Sequence, residues 1–156
     1  MGASSIQQLL EQTADRHGAY GGGSAAALSC ALAAALVEKL SGRKPAAGIA
    51  RRLRVCCTKL IDADAKAFAK VVRATAKGDK MALRRALKTA TDIPCQIEEC
   101  SKQVLEVAQR IKLYVSPRYR VDLRCAETLA RAAQQSSRAL VAANRAWAKS
   151  FARRSS

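Results

Sequence analysis

The sequence predicts an all-α fold, a single-domain helical bundle of about five to six helices, and three observations carry that prediction. Apolar residues make up 49% of the chain but aromatics only 4%. The core must therefore be built mostly from Ala and Leu, small and strongly helix-forming residues that let helices pack closely. Three prolines in 156 residues leave long stretches free to coil. The alternating β-branched and aromatic runs that mark strands are missing. No linker, repeat or shift of composition divides residues 1–156, so one domain is expected.

The elements follow in order. Ser4 or Ser5 can cap a first amphipathic helix carrying Ile6, Leu9 and Leu10, which ends near His17-Gly18. After Tyr20-Gly21-Gly22-Gly23-Ser24, a second helix runs to about Leu40. It is apolar nearly all round, which predicts a central, buried position. Pro45 is placed to start a long third helix over about 46–77, closed by Gly78-Asp79. At 100° per residue, Ile49, Leu53, Cys56, Leu60, Ala63, Ala67 and Val71 share one stripe. Asp64 lies at its edge, Asp62 on the far side, and Arg52, Lys59, Lys66, Lys70, Arg73 and Lys77 on the outer face. A fourth helix starts at Lys80; Pro94 is expected to break or kink it before a fifth through Ile97, Val104 and Ile111. The last helix, about 120–152, aligns Ala126, Leu129, Ala133, Leu140, Trp147 and Phe151, with Asp122 and Asn144 on that face.

Composition also limits function. The 28 Lys and Arg outnumber 12 Asp and Glu, a net charge of +16 that attracts polyanions. Nucleic acid is left open as a partner of this basic surface, although few aromatics interleave with the cations to stack on bases. The most apolar run, residues 25–37, is shorter than the roughly 20 residues a membrane span needs, and no secretory leader opens the chain. Six cysteines without a C-x-x-C pair and a lone His17 argue against a structural metal. The expectation is a cytoplasmic protein whose thiols are mostly reduced core residues.

Chemistry concentrates at few positions. Gly21, Gly22, Gly23 and Ser24 stand directly before a helix, whose unpaired N–H groups and positive dipole end suit a carboxylate or carbonyl oxygen. Glycine there permits a positive φ or a close approach to the main chain. A tight turn allowing two helices to cross is the structural alternative. Asp64 and Asp122, acids on or beside apolar stripes, are candidate general acid/base residues. A salt bridge for Asp64 and a helix cap for Asp122 are the alternatives. Asn144 stands 22 residues beyond Asp122 (144 − 122), about 33 Å along one helix, too far for one small ligand to bridge.

Taken together, these stretches resemble the cyclodeaminase/cyclohydrolase family of folate enzymes. Gly21-Gly22-Gly23-Ser24-Ala25-Ala26-Ala27-Leu28 resembles that family's opening signature. Asp64-Ala65-Lys66-Ala67-Phe68, Ile93-Pro94, and Asp122-Leu123 with Asn144 follow in the same order. The chain departs at Gly18-Ala19-Tyr20 for Pro-x-Pro, at Val121 for Ser and at Leu140 for Asn. The resemblance implies a helical homodimer using a tetrahydrofolate derivative as substrate, with no metal or redox cofactor. Two reactions are implied: closing 5-formiminotetrahydrofolate to the 5,10-methenyl form with loss of ammonia, or hydrating the methenyl form. Asp64 and Asp122 would move protons, while Gly21, Gly22, Gly23, Ser24 and Asn144 would hold substrate. A helical member of the same fold that binds a polyanion without turnover is the alternative.

Overall fold

The computed structural model describes residues 6–42 and 44–153, with side chains through Phe151. The serine caps expected at Ser4 or Ser5 lie outside these residues. Five α-helices appear in order: α1 (Ile6–Ala14), α2 (Gly22–Ser41), α3 (Pro45–Ala76), α4 (Lys80–Ile111) and α5 (Arg120–Arg153). A single 3₁₀ turn, Pro117–Tyr119, leads into α5. No strand occurs among the described residues.

Helices α2 to α5 form a four-membered bundle. Each packs on the next, α5 closes back onto α2, and α2 also crosses α4. α1 stands at the edge and buries only Leu9. The alanines explain why α2 can take the centre. Ala27, Ala33 and Ala34 are wholly buried with Cys30 and Val37, so three neighbours approach its backbone closely. By length and hydropathy alone α2 could cross a bilayer. Its packing against three helices gives another reason for its apolar character, a shared core. One stripe nevertheless stays uncovered. Leu32 is 49% exposed, and Leu28 and Leu36 are only half-buried.

Two expectations are corrected at this level. Pro94 does not break the chain; α4 continues through it as one helix of 32 residues. On α3 the buried thiol is Cys57, and Cys56, expected on the core stripe, is exposed. At 100° per residue Cys56 falls about 60° to one side of Leu53 and Cys57 only about 40° to the other, and it is Cys57 that faces the core. Of the six free cysteines, only Cys30, Cys57 and Cys100 are buried. The outer cations of α3 are all solvent-facing, as expected. Polar clamps tie the helices outside the core: Arg54 to Glu38 at 2.6 Å and Arg138 to Glu98 at 2.9 Å.

Candidate active site

The start of α2 has no capping side chain of its own, because Gly21 occupies the position that would supply one. Asp64 fills the role from α3. It accepts the backbone N–H of Ser24 and lies 3.0 Å from the Ser24 hydroxyl. The same hydroxyl is 2.9 Å from the Ile61 carbonyl oxygen. Ser24 Oγ carries one proton, so it can donate to only one of these two oxygens. If it donates to Ile61, its short contact with Asp64 requires a proton on the carboxyl. If Asp64 is ionised, Ser24 must turn its proton toward it. Ser24 is 2% exposed, so no bulk water competes for this choice. Burial is the largest influence on Asp64 and raises its pKa above the usual carboxylate range, with the Ser24 hydrogen bonds pulling the other way.

Of the two reasons expected for the three glycines, a positive φ and a close approach to the main chain, only the second holds, and at one position. None has a positive φ; among the described residues only Gly42 and Gly78 do. The constraint is space, and it falls on Gly23. A Cβ there would land on the Asp64 carboxyl group, with Oδ2 only 2.7 Å away. At Gly22 a Cβ would meet only Leu140 at an ordinary 3.7 Å, and at Gly21 nothing.

Pro94 makes the second unusual contact. Proline lacks an N–H, so the Ala90 carbonyl one turn earlier has no partner in the helix. Asn144 of α5 supplies it: its side-chain amide donates to Ala90 O at 2.7 Å. This long-range donor lets α4 run on where the sequence predicts a stop. Removing it should leave an unpaired carbonyl, so Asn144→Ala is expected to cost about 1–3 kcal/mol. Pro94→Ala restores the missing N–H, and Asn144→Ala should then cost at least 1 kcal/mol less, a rough coupling typical of contacting pairs. Urea unfolding of the four proteins checks this. Equal costs in both backgrounds would mean that Asn144 does not stand in for the proline.

A cavity of about 220 Å³ joins these features. Gly21, Gly22 and Gly23 form one wall, Asp64 and Phe68 a second, Ala90 and Pro94 a third, and Leu140, Asn144 and Trp147 the fourth. Phe68 is 52% exposed and Trp147 is 40% exposed, an uncommon expenditure of aromatic surface in a chain with so little of it. A second cavity, about 580 Å³, adjoins through Leu87, which lines both. Lys80, Arg84 and Lys149 give it a cationic rim over Met81, Ala148 and Phe151.

The structure thus gathers Gly21, Gly22, Gly23, Asp64 and Asn144 around one cavity, with Ser24 directly behind Asp64. It does not bring Asp122 there. Asp122 pairs with Lys39 at 3.2 Å, near the far end of α2. Lys39 and Gly23 are 16 residues apart (39 − 23), or about 24 Å along the helix. Helical periodicity fixes which face a residue occupies but not which neighbour stands beside it at that height. Asp62 also differs from expectation. It does not point to open solvent but accepts the Tyr20 hydroxyl at 2.9 Å, which anchors the segment leading into the glycines. Sequence reasoning missed Phe68 and Trp147 as cavity residues, though their scarcity was a usable signal. No cluster of three or more metal-ligating side chains occurs among the described residues.

Comparison with known proteins adds an independent line. A family model described as formiminotransferase-cyclodeaminase matches residues 5–153. Among solved structures, the chain is similar to the formiminotetrahydrofolate cyclodeaminase of Thermotoga maritima. The TM-score is 0.85 at 21% sequence identity, covering 97% of this chain and 84% of that one. No curated protein sequence matches.

Proposed function

Because the chain belongs to the formiminotransferase-cyclodeaminase family, we propose that its glycine-walled cavity takes the pterin end of a tetrahydrofolate derivative and moves protons during one-carbon ring closure or opening. The observation that carries this reading is the Asp64 carboxyl, lodged over Gly23 and facing the cavity with Ser24 behind it.

The chemistry asks for such a group. In 5-formiminotetrahydrofolate, N10 must attack the formimino carbon and lose its proton, and the departing nitrogen must gain protons to leave as ammonia. Asp64 can accept the first proton and return it to the leaving nitrogen, since burial keeps its protonated form accessible. Ring opening by water uses the same group in the same order, as base toward water and then as acid toward N5. A cavity of about 220 Å³ admits a bicyclic ring but not a whole folate. Phe68 and Trp147 offer flat apolar faces for the ring. The benzoyl-glutamate part would continue into the larger cavity, where Lys80, Arg84 and Lys149 meet its carboxylates. Asp122, near the far end of α2, is given no role in this pocket.

Equilibrium binding tests this directly. Tetrahydrofolate carrying several glutamates is expected to bind tighter than the monoglutamate, by a margin that shrinks with salt and with Arg84→Gln. Equal affinity for both would remove the cationic rim from the site. Tight, salt-dependent binding of generic RNA with no folate affinity would instead support the polyanion alternative.

The uncovered stripe of α2, centred on Leu32, suggests where two copies pair, in keeping with the homodimer that the family resemblance implies. Leu32→Glu should convert a dimer to monomer in sedimentation at micromolar concentration while helicity is retained. A wild-type monomer, or a dimer unchanged by this substitution, would exclude pairing through this stripe.

A further inference from the structure

Away from the cavity, four of the six cysteines converge where α2, α3 and α4 meet. Cys57 of α3 lies between Cys30 of α2 and Cys100 of α4, near enough to each for the thiols to shift one another's titration. Cys100 also reaches Cys56, with the two Sγ atoms 3.8 Å apart. Hydrophobic packing does not require four thiols in sequence, and Cys56 packs poorly as a hydrophobe, since it is exposed. It lies in a shallow surface depression with Arg51, Arg52 and Lys59. The proposed folate reaction uses none of these sulfurs.

The thiols are unequal. Contact with Cys57, and next with Cys56, draws the Cys100 thiol below its ordinary range, which makes it the readiest of the cluster to ionise. Cys57, sandwiched and buried, is pushed far up and keeps its proton. Burial and the neighbouring Cys100 raise Cys56. The arrangement is a nucleophilic sulfur in the helix interface with an exposed thiol in contact with it.

We propose that Cys56 and Cys100 form an oxidisable dithiol, a modification site at which a peroxide closes a disulfide between α3 and α4. The Cys100 thiolate attacks one oxygen of hydrogen peroxide, the O–O bond breaks, and water leaves after protonation, giving a sulfenic acid. Cys56 then attacks that sulfur, its proton leaves with the hydroxyl as a second water, and the S–S bond forms. Two thiols are oxidised and one peroxide is reduced to two waters. The sulfurs must close from 3.8 Å to about 2.05 Å, which rotation of the side chains and a small slide of the helices provide. On α3 the link sits about two turns before Asp64, and on α4 fewer than two turns after Pro94. It therefore ties the two helices that carry two walls of the cavity.

The test uses the reduced full chain titrated with hydrogen peroxide, then alkylated and mapped by mass spectrometry. The expected first product is an intramolecular Cys56–Cys100 bridge, with the free-thiol count falling by two from the six present. Cys56→Ser, a near-isosteric change on an exposed face, should abolish the bridge and leave a sulfenic acid on Cys100 that dimedone traps. Cys57→Ala should keep the bridge, which separates the two adjacent sulfurs. A Cys57–Cys100 bridge that survives Cys56→Ser would overturn the pairing. Oxidation that begins at Cys95 or Cys125, with Cys56 and Cys100 still free, would overturn the site. The wild-type map decides the question even where a variant folds poorly.

Discussion

Asp64→Asn is expected to slow turnover by roughly 10²–10⁴-fold, the range for removal of an acid/base group, and to leave the fold more stable at neutral pH. Both effects come from one arrangement. An asparagine amide has the hydrogen-bonding pattern of a protonated carboxyl: its oxygen can accept from the Ser24 backbone and its nitrogen can donate to Ser24 Oγ, which in turn donates to Ile61. The geometry is kept while the titrating proton is lost. Stability follows from the direction of the pKa shift. Burial raises the folded-state pKa of Asp64 above its unfolded value, so the folded chain holds that proton more tightly. This contribution is fully present below the ordinary aspartate pKa of about 3.9 and is lost as pH rises through the folded-state pKa. Wild type and Asp64→Asn should therefore melt alike in acid and diverge above it, with the variant the more stable. Thermal melts across pH check this. A variant as stable as wild type in acid but less stable at neutral pH would show that the ionised carboxylate is a net stabilising cap on α2. Asp62→Asn keeps an acceptor for Tyr20 and should leave both rate and melting nearly unchanged.

Gly23→Ala is expected to produce the second-largest effect, and Gly22→Ala almost none. The new methyl at Gly23 occupies the place of the Asp64 carboxyl, which must swing away and give up its hydrogen bond with Ser24. Overpacking of this kind costs about 1–3 kcal/mol, and turnover should fall by at least the ~10²-fold of an acid/base loss, because the displaced carboxyl no longer meets its substrate. At Gly22 the methyl finds ordinary contact with Leu140 and gains helix propensity, so stability should stay within about 1 kcal/mol of wild type. Combining Gly23→Ala with Asp64→Ala removes the clash, and the stability costs should then be strongly non-additive. Chemical denaturation of the single and double variants measures this. Additive costs would mean that the glycine answers to the helix crossing and not to Asp64.

Much of the fold was legible because its cause is local. The Ala-rich and Leu-rich stretches place α3 within a residue of its observed limits, whereas α2 begins at Gly22, inside the glycine run expected to precede it. The proline expectation failed because its remedy is remote: the donor that Ala90 needs comes from Asn144, 54 residues away. The same holds for the site. Gly21–Gly23 and Asp64 stood out singly, as a loop before a helix and an acid beside an apolar stripe. Their pairing depends on the crossing of α2 and α3, which no local pattern encodes. Asp122 shows the opposite error, since its face on α5 was legible but its neighbour, Lys39, was not.

The most direct measurement is the absorbance of 5,10-methenyltetrahydrofolate after the chain is mixed with 5-formiminotetrahydrofolate, alongside Asp64→Asn. Catalysed appearance of the methenyl chromophore with wild type, and its loss with Asp64→Asn, is the predicted result. Catalysed disappearance of added methenyltetrahydrofolate, with no gain from the formimino compound, would assign the hydrating direction to the same carboxyl. Wild-type turnover by Asp64→Asn would contradict the account, as would a folded wild type inert toward both compounds.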